Sequence, residues 1–288
     1  TVALLLAFIL APIVAEEVGY VWMGALMGVL VAAGYLISMI GIKEDTSQLK
    51  DDTVGLGESF KIALASRPFR WFIGANVAKE YIWLVLAAML PFWRKYALGI
   101  QGEAEVFGMT LSGGDAEALL LGIPIILTIP ALLLWRPLVA RIGPRRAWIW
   151  ASLCFIPGFA VIMLADSFAV GLLGTVLAAP GLAGSMIMPF PLLSEVIDDD
   201  AAQHGFRREG VFFGINGGVT KLAFSAQGIL FATVLSLSGY IAGSEAQPAS
   251  AAWGVRFLIG VTPIVASLLI AYCMWKYPLE TKAEIERG

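Results

Sequence analysis

The sequence has little charge and few of the residues from which catalytic sites and disulfide frameworks are built. Of its 288 residues, 14% are charged and one is a histidine, whereas 59% are hydrophobic and the mean hydropathy is +0.82. Soluble domains carry about a quarter charged residues, so this composition excludes a soluble enzyme and a disordered chain. The two cysteines, Cys154 and Cys273, lie in apolar runs, where buried thiols are expected instead of a disulfide.

Motifs for catalysis, for metal binding and for nucleotide binding are missing from the sequence as well. The single histidine, His204, has no second histidine or cysteine ligand close to it in sequence, so it does not predict a metal site. Neither a phosphate-binding glycine loop nor an HExxH motif is found, and no basic and aromatic surface suits nucleic acid. We therefore expect a protein that is not an enzyme, holds no cofactor and has no nucleic-acid partner.

Long apolar runs dominate the rest of the chain. A bilayer span needs about 20 apolar residues, and runs of this kind lie at 1–15, 19–41, 70–93, 117–137, 147–165, 168–194, 211–238 and 253–276. Each is predicted to be helical, because lipid offers no partners to the backbone of an open strand. The sequence thus predicts an all-α membrane protein with about eight spans. Since it begins at Thr1 inside an apolar run, without a basic signal region, we expect a chain truncated within a transmembrane segment.

Connections that are rich in lysine and arginine alternate along the chain with connections that are poor in them. The rich connections contain Lys43, Lys50, Lys61, Arg67, Arg70, Arg136, Arg141, Arg145, Arg146, Arg207, Arg208, Lys276, Lys282 and Arg287; the poor ones contain Arg94, Lys95 and Arg256. Cytoplasmic loops of membrane proteins carry the excess of lysine and arginine. We therefore expect a multi-pass protein of the plasma (inner) membrane, with residues 42–70, residues 195–210 and the C-terminus facing the cytoplasm.

The polar segment 42–69 divides the predicted spans into two and six. This division predicts four regions: 1–41 as the last two helices of a truncated N-terminal bundle, 42–69 as a central cytoplasmic loop, 70–277 as a C-terminal six-helix bundle and 278–288 as a cytoplasmic tail. Six helices after a long loop are typical of half of a two-bundle transporter. On composition alone, receptors, channels and scaffolds remain alternatives.

Lys221 lies near the middle of the span at 211–238. An ionisable side chain at this depth is costly and marks a solute or ion pathway unless it is paired with a carboxylate for packing. Small residues share its side of the helix, namely Gly210, Gly214, Gly217, Gly218, Ser225 and Gly228, whereas Asn216, Thr220 and Gln227 form a polar stripe about 100° away. The glycines by themselves are more typical of close helix packing than of binding.

A second polar cluster lies in the span at 70–93. Asn76, Lys79, Glu80 and Trp83 share one helix face. Residues adjacent in sequence do not face each other on a helix, so Lys79 and Glu80 are each expected to have a partner on another helix. The cluster is interpreted either as a polar cavity wall with an aromatic platform or as a charged pair near the interface, with Lys79 extending toward water.

Residues 189–224, PFPLLSEVIDDDAAQHGFRREGVFFGINGGVTKLAF, resemble the glycoside-pentoside-hexuronide:cation symporters of the major facilitator superfamily. The positions that match the family pattern are Glu195, Val196, Ile197 and Asp198, then Arg207, Arg208, Glu209 and Gly210, and finally Lys221. A weaker match to the superfamily's loop signature lies at 136–148, through Arg141, Gly143, Arg145 and Arg146. There Ala140 replaces the usual aspartate, and Met186 stands where the family often has an aromatic residue.

This resemblance implies the C-terminal two-thirds of a twelve-helix transporter that moves a sugar, glycoside or sugar acid together with sodium ions or protons by alternating access. The family lysine matched by Lys221 lies between the two bundles near the solute, and the cation site belongs mainly to N-terminal helices that precede this sequence. The implied partners are a small solute, membrane lipid and the rest of the N-terminal bundle. A lysophospholipid or other amphiphile transporter of this fold, and a non-transporting scaffold or sensor, remain alternatives.

Charged residues around the turn near Gly205 suggest a gating loop. Asp198, Asp199 and Asp200 precede this turn and Arg207, Arg208 and Glu209 follow it, so exposed ion pairs could form and break as the bundles move, with a plain solvated loop as the alternative. The predicted gating set contains Glu195, Asp198, Arg207, Arg208, Glu209, Arg141 and Arg145. Because two lysines, Lys79 and Lys221, accompany one deep carboxylate, Glu80, we expect either an anionic solute such as a hexuronide or balancing carboxylates from the missing N-terminal half.

Overall fold

The structure is a computed structural model that describes residues 13–40, 55–106, 108–244 and 246–279. Most of the predicted span at 1–15, the first half of the predicted central loop and most of the predicted tail lie outside these residues. The structure therefore tests seven of the eight predicted spans.

The described chain is built from ten helices of eight residues or more, with one short pair of strands. They are α1 (Tyr20–Met39), α2 (Leu56–Ala65), α3 (Arg67–Tyr96), β1 (Ala104–Val106), β2 (Met109–Leu111), α4 (Gly113–Ile142), α5 (Pro144–Leu164), α6 (Phe168–Ile187), α7 (Pro189–His204), α8 (Glu209–Leu237), α9 (Ala249–Arg256) and α10 (Thr262–Lys276). Residues 13–18 are also helical and are separated from α1 by Gly19, whose φ is +88°.

Within the described residues, seven helical stretches are long and apolar enough to cross a membrane. They are α1, α3, α4, α5, α6 with α7, α8, and α9 with α10. The all-α class is thus confirmed, and the seven spans agree with the seven apolar runs from residue 19 onward. Two elements are not predicted by the apolar runs: α2, which lies inside the polar segment 42–69, and the antiparallel pair of β1 and β2 between α3 and α4.

The core of the bundle lies between α3, α4, α5, α6 and α10. Large side chains such as Phe72, Trp93, Trp148 and Phe155 are fully buried there. The helices α5 and α6 approach each other through glycine: a Cβ atom added to Gly158 would lie 2.6 Å from the backbone nitrogen of Ala178. Such backbone proximity requires glycine, because any larger residue would force the two helices apart.

The last span is interrupted by a π turn at Phe257–Val261, between α9 and α10. Directly before it, the Arg256 guanidinium donates hydrogen bonds to the carbonyls of Met163, 2.9 Å away, and Ala97, 3.0 Å away. Directly after it, the Thr262 hydroxyl accepts a 2.6 Å hydrogen bond from Tyr81 of α3. The π turn therefore lies between two polar contacts that fix this span against α3 and α5.

Two ends of the bundle can be distinguished. The basic end contains the α4–α5 and α7–α8 connections and the end of α10, and Arg145 and Tyr277 contact neighbouring elements there. The hairpin end contains β1 and β2, the α5–α6 connection and the described residues 238–244 and 246–248. The structure thus collects at one end the described connections in which the sequence concentrates lysine and arginine.

Candidate functional site

Lys221 lies on a face of α8 that the described residues leave uncovered. The residue is exposed, and its Nζ lies 5.2 Å from the centre of the Phe224 ring. It stands about 18 Å along α8 from Glu209, at 1.5 Å per residue, and therefore near the middle of the span. Glycines of the same face, including Gly214, Gly217 and Gly218, have no described atom within 4 Å of where a Cβ would stand. A solute can therefore approach the Lys221 side chain without meeting side chains at these glycine positions.

The polar stripe of α8 points instead into the bundle. Asn76 of α3 donates a 2.9 Å hydrogen bond from Nδ2 to Oδ1 of Asn216, and Asn76 is 3% exposed. Gln227 is buried further along the same stripe, and Thr220 is partly buried. The structure therefore separates the predicted residues: Lys221 faces outward, whereas Asn216 joins α8 to α3.

Lys79 and Glu80 form an ion pair with each other. The expectation that each has its own partner on another helix is therefore wrong. Their backbone positions point about 100° apart, but the long lysine side chain bends across and brings its ammonium group to the carboxylate. Both side chains are only partly exposed, at 13% and 29%, so this pair is a neutral unit within the span.

Trp83 borders an apolar cavity between α3, α4, α5 and α6. The cavity has a volume of about 20 Å³, and its lining includes Leu86, Leu121, Pro124 and Leu182. The four residues from Asn76 to Trp83 therefore do not form one continuous polar wall. Asn76 contacts α8, Lys79 and Glu80 contact each other, and Trp83 lies against hydrocarbon side chains.

A buried ion pair joins α7 to α8 at the basic end. Arg208 donates from Nη2 and Nε to the two carboxylate oxygens of Asp200, at 2.7 and 3.0 Å, and their side chains are 0% and 3% exposed. The Phe206 ring covers the guanidinium at 4.9 Å, and Nδ1 of His204 lies 3.2 Å from Asp200. The expectation of exposed pairs here is wrong for Arg208, because Asp200 lies on the inner side of α7.

Arg207 makes the exposed contacts that the sequence predicts for this loop. Its guanidinium lies 2.9 Å from Asp198 and 2.8 Å from Glu209, and all three side chains are more than half exposed. Ion pairs of this kind contribute at most about 1 kcal/mol. They can therefore break at little cost, unlike the pair of Arg208 and Asp200.

Arg145 fixes the α4–α5 connection to the end of α10. It donates from Nε to the carbonyl of Met274 at 2.9 Å and from Nη2 to that of Trp275 at 3.2 Å. Cationic groups favour the carbonyl-rich end of a helix, so this arginine acts as a cap within the bundle. Arg141, near the end of α4, is exposed.

Glu195 lies partly buried on α7 near the phenol of Tyr277. Burial raises the pKa of Tyr277, and the carboxylates of Glu195 and Asp199 raise it further. The Tyr277 hydroxyl donates a 3.4 Å hydrogen bond to the carbonyl of Leu192. Glu195 therefore belongs to the contact between α7 and the end of α10.

Two residues outside the predicted set, Asp200 and Glu16, join separate elements of the described chain. Asp200 is one of three consecutive aspartates, and its i,i+4 spacing to His204 and the apolar positions around it indicate its inward side. Glu16 comes from the segment before α1 and binds the start of α4. No signal in the sequence relates Glu16 to residues almost a hundred positions away.

The family model and the relatives that match this chain are all described as transport proteins. The family model described as MFS/sugar transport protein matches residues 1–281. An uncharacterized symporter, sll1374, of Synechocystis is 23% identical over 230 residues, which cover 76% of this chain and 40% of the relative. The sodium-dependent lysophosphatidylcholine symporter 1 of Gallus gallus is 22% identical over 271 residues, covering 91% and 48%.

A third relative is the glucuronide carrier protein homolog of Escherichia coli, 27% identical over 147 residues, which cover 50% of this chain and 32% of the relative. The chain spans less than half the length of each of these curated relatives. The matches therefore concern part of a larger transport protein in each case.

Proposed function

Because the chain belongs to the family of MFS/sugar transport proteins, the group that residues 189–224 resemble, we propose that it is part of a secondary active transporter. In this proposal, a solute crosses the membrane together with sodium ions or protons, and two helical bundles open alternately to either side. The source of energy is an ion gradient, and the cation site lies mainly in helices of the other bundle.

The proposal assigns α3 to α10 to the C-terminal bundle and α1 to the N-terminal one. It is supported by the packing, because α3 to α10 share one core while α1 has no buried residue. The basic end is proposed to face the cytoplasm in a plasma (inner) membrane, on the basis of its lysine and arginine content. Residues 42–69 then connect the bundles, and residues 278–288 form a cytoplasmic tail.

The observation that carries the proposal is the uncovered face of α8 around Lys221. A lysine in the middle of a span cannot face lipid without a large cost, and helix faces rich in glycine allow a second surface to approach closely. We place the solute between this face and the other bundle. Lys221 then contacts the solute directly, with the glycines leaving room beside it.

The charges of the described bundle favour an anionic solute. Glu80 neutralises Lys79, and in the described ranges no carboxylate lies within ion-pair distance of Lys221. One positive charge is thus left on the uncovered face. A sugar acid, such as a hexuronide, would supply the opposite charge there, and its hydroxyl groups would bind to polar residues of the other bundle.

An amphiphile with a phosphate group is a second candidate, favoured by the apolar character of α4 and α6. The hydroxyls of Thr128, Thr175 and Ser185 donate to carbonyls of their own helices, and the cavity beside Trp83 is lined almost entirely by apolar side chains. In this alternative, the phosphate of the lipid lies at Lys221 and the acyl chain lies against the apolar side chains of α4 and α6. The lysophosphatidylcholine symporters among the relatives give this candidate further support.

The test is uptake into proteoliposomes by the full-length protein and by Lys221→Gln. The solute panel contains an acidic sugar, its neutral analogue and an anionic lysophospholipid. We expect Lys221→Gln to lower uptake of the anionic substrate about tenfold or more, as for the loss of one charged hydrogen bond, and to leave the neutral analogue little affected. Lys221→Arg should retain part of the activity, and Lys95→Gln, at the far end of α3, serves as the control.

Equal loss of neutral and acidic uptake in Lys221→Gln would show that Lys221 does not select for anionic charge. Uptake of the lysophospholipid alone would establish the second candidate. No solute counterflow by the wild-type protein, in a preparation shown to be folded, would contradict transport and favour a scaffold or sensor.

A further inference from the structure

Glu16 connects the segment before α1 to the C-terminal bundle. Its Oε2 atom accepts a 3.0 Å hydrogen bond from the Ser112 hydroxyl and a second one from the backbone N–H of Gly114. The segment 13–18 ends at Gly19, and α1 follows. The contact therefore joins the part of the chain assigned above to the N-terminal bundle with the first turn of α4.

The first turn of α4 is arranged to receive a carboxylate. Ser112 and Asp115 form a capping box, in which each side chain accepts a hydrogen bond from the other residue's backbone N–H. The capping box does not use the backbone N–H of Gly114, which donates a hydrogen bond to Glu16 instead. A negative charge is favourable at this position because the unpaired N–H groups and the helix dipole make the start of a helix positive.

The start of α4 also contacts the end of α3 through Arg94. Arg94 at the end of α3 donates a 2.7 Å hydrogen bond to the carbonyl of Ile100, and its Nε lies 3.4 Å from Glu117 of α4. A Cβ added to Gly113 would lie 2.5 Å from the Arg94 guanidinium. Arg94 thus joins the end of α3 to the first turns of α4, so Glu16 binds a part of the C-terminal bundle that contacts α3.

We propose that Glu16 and the first turn of α4 form a latch that holds the two bundles together at the hairpin end. This inference rests on the proposed function, in which the bundles separate alternately at the two ends. When the hairpin end is closed, Glu16 accepts hydrogen bonds from Ser112 and Gly114. When this end opens to admit or release solute, those two hydrogen bonds break and water replaces them.

A cross-linking experiment tests whether the latch must open. In full-length protein without its other cysteines, Glu16→Cys and Ser112→Cys are combined and joined by a short, reductant-cleavable bifunctional reagent. We expect uptake to stop on cross-linking and to return on reduction. The control pairs Glu17→Cys with Ser112→Cys, which also removes the serine cap but should cross-link poorly. Undiminished uptake by fully cross-linked protein would overturn the proposal.

A distance measurement tests the latch without any solute. Spin labels at the exposed positions Val18 and Glu103 report the separation across the hairpin end by electron–electron double resonance. Glu16→Ala should raise the ratio of the long-distance to the short-distance population about tenfold, because two hydrogen bonds to a charged group are lost. Glu16→Gln should have a smaller effect, and the adjacent Glu17→Ala should have none.

The two measurements separate the latch from the transport proposal. A distance shift in Glu16→Ala together with absent wild-type uptake would support the latch as a contact and contradict transport. Normal uptake together with unchanged distances in Glu16→Ala would contradict the latch and leave transport in place.

Discussion

Two glycine-rich helices of the same bundle, α6 and α8, use their glycines in opposite ways. In α6, a Cβ added to Gly174 would lie 2.7 Å from the Ile162 side chain, and one added to Gly181 would lie 2.8 Å from the Phe155 ring. In α8, the corresponding space beside Gly217 and Gly218 is open within the described part of the chain. Side chains of α5 occupy the space beside the glycines of α6. The glycines of α8 instead form the surface on which we place the solute.

The two helices are also held in different ways. α6 is fixed by continuous packing along α5 and α4. α8 packs through fewer apolar residues, among them Phe212, whose ring lies 4.7 Å from that of Phe69, and two separate polar contacts also fix it. They are Arg208 with Asp200 at the basic end and Asn216 with Asn76 about two turns further along. This comparison shows how one bundle can contain a helix that is fixed at several points and still has one face that the described residues leave uncovered.

The largest predicted effect concerns the polar anchoring of α8. Arg208→Ala should lower the free energy of unfolding by about 3–5 kcal/mol, because it leaves the Asp200 carboxylate buried without its partner. Thermal or denaturant unfolding in detergent micelles measures this loss. Arg207→Ala is the matched control and should cost at most about 1 kcal/mol, since its ion pairs are exposed.

A double variant separates the burial of charge from the presence of the pair. Replacing both partners, with Arg208→Met and Asp200→Leu, should restore most of the stability, because a well-packed apolar pair often equals a buried ion pair. If Arg208→Ala and Arg207→Ala were equally mild, α8 would not be anchored by polar contacts and the comparison with α6 would fail.

The next effect concerns the steric contact between α5 and α6. Gly158→Ala adds a methyl group 2.6 Å from the Ala178 backbone nitrogen and 2.8 Å from the Gly174 carbonyl oxygen, so the two helices must move apart. We expect a loss of about 1–3 kcal/mol, as for overpacked cores. Unfolding under the same conditions measures it, and unchanged stability would show that this seam is looser than its distances indicate.

The smallest effect is expected for Gly218→Ala on α8, which is the counterpart of Gly158→Ala on α5. Gly218→Ala meets no described atom and should stabilise this chain by about 0.5–1 kcal/mol through the higher helix propensity of alanine. In the full-length protein, the same methyl group would reduce the room beside Lys221, so we expect slower uptake at unchanged folding. Destabilisation of this chain would mean that the face is already covered.

Much of the fold follows from the sequence, because span number and helical structure depend on hydropathy and backbone hydrogen bonding alone. The separation of Lys221 from Asn216 on α8 likewise follows from the 3.6-residue period. The placement of Lys79 and Glu80 does not, because it depends on side-chain flexibility that a helical wheel ignores. Similarly, the pairing of Asp200 with Arg208 depends on how α7 meets α8, which local sequence does not determine.

The break between α6 and α7 is a further feature that hydropathy conceals. The apolar run 168–194 is uniform, but Pro189 has no N–H with which to continue the hydrogen-bond ladder of α6. The short strands β1 and β2 are not predictable from the sequence for a different reason. Three residues in each strand are too few to show an alternating pattern, and their pairing depends on the turn at Gly108, whose φ is +75°.

The π turn at Phe257–Val261 sets the angular phase of the last span. A π turn holds one residue more than the α-helical turn it replaces, so side chains before it are rotated by about 100° relative to a continuous helix. This rotation directs Arg256 to the carbonyls of Met163 and Ala97. Loss of a single residue here would leave a span that is long and apolar enough to insert, but whose first two turns face the wrong neighbours.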